Sequence, residues 1–179
     1  MASFLRRRDR HERPAFQLYG SAVAAARDPY LYAILGVPDT LDGRFDAIVL
    51  HVYLVVRRLD LEPEPGPKLA QAVFDAMFLD MDINLREMGV GDLSVGKRNR
   101  AMWEAFHGRS AAYAAVWDDP AELAAAIARN VWRGAEPPSG SAAALARVAR
   151  KQAECLAGQG LDALVRGEIA FLPAEEAAR

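Results

Sequence analysis

Apolar side chains recur at intervals of three and four along most of this chain, the period of helices that bury one face. The most regular example is residues 45–59, where Phe45, Ile48, Val49, Val52, Val55, Val56 and Leu59 share a stripe. Its β-branched residues would tolerate a strand, but ~20 residues holding this period predict an amphipathic helix. Shorter stripes follow the same rule: Phe16, Tyr19 and Val23; Tyr30, Leu31, Ile34 and Leu35; Leu123, Ile127 and Val131. An alanine-rich stretch from Ser141 to about Leu156 predicts a further helix carrying Leu145, Val148 and Leu156, and residues 161–172 a last short piece. The pattern is that of an all-α, compact multi-helix domain.

Residues 74–97 depart from a single stripe. Phe74, Phe78, Met81, Leu85 and Met88 form one apolar set, while Ala72, Ala76, Leu79 and Ile83 recur about half a turn away. A helix apolar on two sides is expected to be wrapped by neighbours, so this segment is expected to be the central buried helix. Its charges then fall into the seams, Asp75, Asp82 and Arg86 along one edge and Asp80, Asn84 and Glu87 along the other. A buried carboxylate must find a cation or donors. Arg44, Arg57 and Arg58, flanking the stripe of residues 45–59, are the expected counter-charges. Gly89 stops the helix in a left-handed conformation, Gly91 frees the backbone, and Asp92 or Ser94 caps a second helix that turns basic at Lys97, Arg98 and Arg100. An acidic and a basic helix are thus expected side by side. The second carries Val95, Met102, Trp103, Phe106 and Tyr113, and Gly108 is a possible point of division.

Punctuation sets the remaining boundaries. Asp28-Pro29, Asp39-Thr40 and Asp119-Pro120 each pair or precede a capping side chain with a helix start. Residues 61–67, LEPEPGP, and 136–140, EPPSG, are breaks that no helix continues through. Three segments result: a flexible basic arm over residues 1–14, a helical domain over 15–135, and a C-terminal helical segment over 141–172 that packs on the body or on another subunit. Residues 175–179 are expected to fray.

Composition narrows the classes. At 179 residues the chain suits one domain with its own core, and a net charge of −2 with 52% hydrophobic residues excludes a disordered polyelectrolyte. One cysteine, Cys155, allows no intrachain disulfide and fits a reducing compartment. The longest apolar run, residues 47–56, is about half of the ~20 residues a spanning helix needs. The arginine-rich start resembles neither a secretory signal nor a mitochondrial presequence, so the expectation is a cytoplasmic bacterial protein.

Catalytic constellations are scarce. Asp75, Asp80 and Asp82 offer carboxylates, but residues two apart on a helix point ~160° away from each other, and neither a Glu-x-x-His pair nor a zinc motif occurs. Asp118-Asp119-Pro120 superficially resembles the aspartate motif of isoprenoid synthases, yet Pro120 makes it a helix start. A magnesium-dependent isoprenoid-type or other metal-dependent helical enzyme is the alternative these aspartates leave. His51 lies among apolar residues and reads as a hydrogen-bonded core histidine, and Cys155 as inert. No cofactor and no catalytic residue is assigned. The cations Lys97, Arg98, Arg100, Arg109, Arg129 and Arg133 either neutralise the seam acids or offer a patch for ribosomal RNA or an anionic membrane surface; specific DNA binding is not expected.

Three runs in order, residues 36–59, 74–113 and 127–132, resemble the ubiquinol-cytochrome c chaperone family. They carry the elements Asp-Met-Asp, Leu-Arg-Glu-Met-Gly-Val-Gly-Asp and Gly-Lys, and the resemblance covers roughly residues 19–132. It implies a non-enzymatic assembly factor for respiratory complex III that binds newly made cytochrome b, in mitochondrial members with a small partner protein near the ribosomal exit. Carried over, the client surface is expected around Asp80, Asp82, Leu85, Arg86, Glu87, Gly91, Asp92 and Lys97, extended by Arg98, Arg100, Trp103 and Phe106. Such a protein would work in the cytoplasm, at the cytoplasmic face of the inner membrane.

Overall fold

The computed structural model describes residues 11–179, apart from the side chains of Asp92 and Leu93, and these residues fold into nine helices. They are α1 (Glu12–Ala26), α2 (Pro29–Ala33), α3 (Leu41–Asp60), α4 (Gly66–Glu87), α5 (Asp92–Ala115), α6 (Pro120–Val131), α7 (Ser141–Ala157), α8 (Leu161–Val165) and α9 (Ala174–Ala178). The starts follow the capping chemistry. The Tyr30 amide donates to Asp28 Oδ1 at 2.9 Å, the Gly43 amide to Thr40 Oγ1 at 3.1 Å, and the Ala121 amide to Asp119 Oδ1 at 2.9 Å. Each such cap stabilises its helix by ~1 kcal/mol. Gly89 ends α4 at φ +76°, as its place in the sequence requires.

The helix at the centre is α3, not α4. Val49, Val52, Val55 and Leu59 on one side of α3 pack with Leu18 and Tyr19 of α1 and Leu69, Val73 and Met77 of α4. Leu50, Tyr53 and Leu54 on the other side pack with Leu123 and Ile127 of α6 and Leu145 and Val148 of α7. α5 reaches both clusters, with Phe106 in the first and Tyr113 in the second, and Gly108 does not divide it. The expectation that α4 is wrapped on two opposing sides fails over its C-terminal half. Leu79 is 48% and Ile83 46% exposed there, because α1 and α3 cover only the face of Val73, Met77 and Met81.

The arginines of α3 also turn elsewhere. Arg58 donates to the Leu156 carbonyl at 2.9 Å and the Gln159 carbonyl at 2.8 Å and pairs with Glu62, which ties α3 to the end of α7. Arg57 lies over the Trp117 ring and Arg44 pairs with Asp39 at 2.6 Å. None of the three answers an acid of α4.

Helical structure among the described residues reaches closer to both of their ends than the sequence pattern suggests. α1 begins at Glu12, so the helix takes in the last residues of the expected arm, while residues 1–10 lie outside the described part. The C-terminal residues do not fray: Ala174, Ala177 and Ala178 are buried, and the Ala174 amide donates to Asp28 Oδ2 at 2.9 Å. The α7–α9 portion packs on the body through the same cluster as α3 and α6. Trp132 fixes another long-range join, its Nε1 donating to the Gly36 carbonyl at 3.0 Å where Gly36 sits at φ +66° against Pro138.

Candidate functional site

A groove of about 910 Å³ opens where the N-terminal half of α3, the C-terminal half of α4 and α5 diverge. Leu41, Phe45 and Ile48 form one wall, Met81, Leu85 and Met88 the second, and Ala101, Met102 and Ala105 the third. The geometry follows from the sequence: α4 ends at Gly89, and α5 leaves the corner with its own apolar stripe set apart from α3. Three methionines make the lining adaptable, since an unbranched thioether fills irregular space. Leu41 and Met88 are 76% and 55% exposed, so the mouth itself is apolar.

The rim is basic. Arg27, Arg44, Arg98, Arg109 and Arg133 line it against Asp42 and Glu87. Arg109 and Arg133 are held in place by Asp46, whose side chain is wholly buried. Arg109 Nη2 lies 2.7 Å from Asp46 Oδ1, and Arg133 Nε 2.7 Å from Oδ2. Arg133 also pairs with Asp42 at 2.7 Å and takes up a left-handed backbone, φ +50°, a cost that an observed outlier of this kind incurs only where its side chain is firmly held. Burial pushes the Asp46 carboxyl up, and the guanidiniums of Arg133 and Arg109 pull it back. Arg109 further covers the Phe45 ring at 5.7 Å, joining the charge cluster to the apolar wall. Neither Arg27 nor Arg98 has an ion-pair partner among the described residues.

Of the residues expected at the client surface, Leu85, Glu87 and Arg98 line this groove. The others are dispersed. Asp80 points away, accepting from Tyr19 Oη at 2.7 Å and from Asn84 Nδ2 at 3.2 Å. Asp82 accepts from Arg86 Nε at 2.7 Å and from Asn99 Nδ2 at 2.7 Å, and the Arg86 bond holds its carboxyl below the usual range. The acidic and basic helices do meet side by side through Asn99 and through Phe74, which contacts Phe106 at 5.0 Å. Phe106 itself is buried there. Gly91 precedes the first turn of α5, Asp92 opens that helix, and Lys97 and Arg100 are exposed along it, Arg100 pairing with Glu104. Trp103 is 49% exposed and packs against His107 in a tilted arrangement, ring centroids 4.1 Å apart. Reasoning on α4 alone missed Leu41, Phe45, Ile48 and the Asp46 cluster. The visible signal was Asp46, a carboxylate set inside the most regular apolar stripe of the chain.

His51 is a core residue, its Nδ1 2.8 Å from the Ala47 carbonyl. Among the described residues no group of three or more His, Cys, Asp or Glu is placed to hold a metal ion, and no helix is long and apolar enough to cross a membrane.

Comparisons with known proteins agree with this architecture. Residues 33–171 match the model of the family described as ubiquinol-cytochrome C chaperone. The ubiquinol-cytochrome-c reductase complex assembly factor 1 of Xenopus laevis is 26% identical over 164 residues, covering 90% of this chain and 82% of the frog protein. The proteins of that name from Mus musculus and Homo sapiens are 26% and 27% identical, and the match spans 56% and 55% of their lengths. The crystal structure of the Cbp3 homolog from Brucella abortus superposes with a TM-score of 0.82 at 35% identity, covering 93% of each chain. The chain therefore belongs to the ubiquinol-cytochrome c chaperone family, a family of complex III assembly factors and not of enzymes.

Proposed function

We propose that this protein holds a segment of a membrane-protein client, cytochrome b, during biogenesis of ubiquinol-cytochrome c reductase, and that the α3–α4–α5 groove is where the segment lies. The carrying observation is the pairing of a methionine-lined apolar trough with an arginine rim. The trough suits the apolar face of a helix, and the rim suits the acidic groups or the chain end that flank it. Its width is set by α4 and α5, which join at the Gly89–Gly91 corner and touch through Asn99 and through Phe74 with Phe106, and its methionine lining lets it adapt to its client. Exposed Lys97, Arg98 and Arg100 at the start of α5 add attraction toward a phosphate-bearing surface, ribosomal RNA or anionic lipid, at the cytoplasmic face of the membrane.

The test is capture of detergent-solubilised cytochrome b by purified protein. Leu41→Glu together with Met88→Glu puts charge into the mouth at two exposed positions and leaves the core untouched. The double variant is expected to fold with an unchanged melting curve and to lose capture by at least about tenfold. Equal capture by the variant rejects the groove, and no capture by the wild-type protein rejects the client.

A further inference from the structure

Three of the chain's five methionines, Met81, Met88 and Met102, line the groove, and a fourth, Met77, lies in the core between α1, α3 and α4. Their access to solvent is graded. Met88 is more than half exposed at the mouth, Met102 is half-buried on the α5 wall, Met81 is buried on α4, and Met77 has no exposed surface. Leucine would fill much the same volume. What methionine adds, besides flexibility, is a thioether sulfur that a peroxide oxidises, and access governs which thioether reacts.

The sulfur takes one oxygen atom from hydrogen peroxide and gives up two electrons, and the rest of the peroxide leaves as water. The resulting sulfoxide puts a polar acceptor where the wall was apolar. Against an apolar segment that oxygen is buried without a partner, which is unfavourable. Alternatively it draws a donor from the rim, where Arg27 and Arg98 have no ion-pair partner among the described residues. Both arrangements oppose an apolar occupant. We infer that Met88 and Met102 are a reversible oxidation site that switches off client holding, an inference that rests on the groove reading above. The return step consumes two thiols: a methionine sulfoxide reductase restores the thioether, the oxygen leaves as water, and the thiols become a disulfide. Cys155, on α7 beside the Ala170 carbonyl, does not line the groove, so its oxidation is a separate event.

The test treats the full chain with hydrogen peroxide for increasing times, removes the oxidant, maps sulfoxides by peptide mass spectrometry, and then offers detergent-solubilised cytochrome b. Sulfoxide is expected first at Met88, next at Met102 and last at Met77, with capture falling by about tenfold or more in step with the first two. The two sulfoxide reductases, one for each epimer, should restore capture when supplied with a dithiol, and the dithiol alone should not. Met88→Leu combined with Met102→Leu is read as the ratio of capture after and before peroxide, so that the variant's own affinity cancels. That ratio should stay close to one. Undiminished capture by wild type carrying both sulfoxides, recovery with dithiol alone, equal fractional loss in the double variant, or equal reaction at Met88 and Met77 overturns the inference and leaves the groove standing. Should the double variant not fold, the time course and the reductase arm decide. Untreated wild type that captures nothing rejects the groove reading, and this inference with it.

Discussion

Asp46→Ala is the substitution to which this fold should be most sensitive at a charged position. The carboxylate has no solvent exposure and accepts from Arg109 Nη2 at 2.7 Å and from Arg133 Nε and Nη2 at 2.7 and 3.2 Å. Its pairing is not a large net gain, because burial opposes the charge, but breaking the pair strands what remains. Arg109, with a side chain 13% exposed, is left without its carboxylate in the interior, whereas Arg133 at 39% can turn to water and to Asp42. Loss of one member of a buried pair costs ~3–5 kcal/mol, and the solvent access of Arg133 places this case near the lower end, about 3 kcal/mol. For a chain of this size that lowers the melting temperature by roughly 6–12 °C. Urea unfolding followed by circular dichroism measures it. Arg133→Ala should cost much less, and Asp46→Leu combined with Arg109→Met should recover most of the loss. An Asp46→Ala midpoint within about 1 kcal/mol of wild type would refute a desolvated cluster and place these groups in contact with water.

Three further outcomes follow from particular contacts. Burial depresses the pKa of His51 below the ordinary 6.5, so the unfolded chain binds the proton more readily. Stability should be level above that pH and fall as pH drops below it, by up to ~1.4 kcal/mol per unit, a slope that the difference between wild type and His51→Leu isolates. Gly43→Ala would place a Cβ 2.0 Å from the Pro38 carbonyl oxygen, a backbone atom that cannot step aside, so a loss of ~3 kcal/mol or more is expected in the same unfolding assay. Asp82→Ala, by contrast, should cost at most ~1 kcal/mol, since the Arg86 side chain it pairs with is 52% exposed and the Asn99 bond is a single, partly buried one.

Local chemistry was legible in the sequence, and long-range partnership was not. The caps at Asp28, Thr40 and Asp119 and the stop at Gly89 are set by side chains and backbone within four residues, so spacing alone locates them. The amphipathic period of residues 45–59 located α3, but not its place between two clusters. Ala47, Leu50 and Leu54 complete a second buried face that a single stripe does not describe. Arg58 illustrates the limit for charges: besides Glu62 one turn on, its partners are carbonyls 98 and 101 residues away, invisible to any helical period, so the acids of α4 were a poor guide. Leu79 and Ile83 mislead for the complementary reason, being apolar residues left exposed where the bundle ends. Alanine-rich α7 and α9 offered little hydropathy contrast, yet small side chains are what allow α7 to approach α6 and α9 closely enough to bury Ala146, Ala149 and Ala177.

The groove is the central claim, and site-specific photocrosslinking addresses it most directly. A benzophenone side chain at Met88, inside the groove mouth, and another at Phe16, on the outer face of α1, would be compared during synthesis of cytochrome b in a coupled translation reaction with membranes. The account expects the Met88 probe to join cytochrome b and the Phe16 probe not to. Adducts at Phe16 with none at Met88 would contradict it.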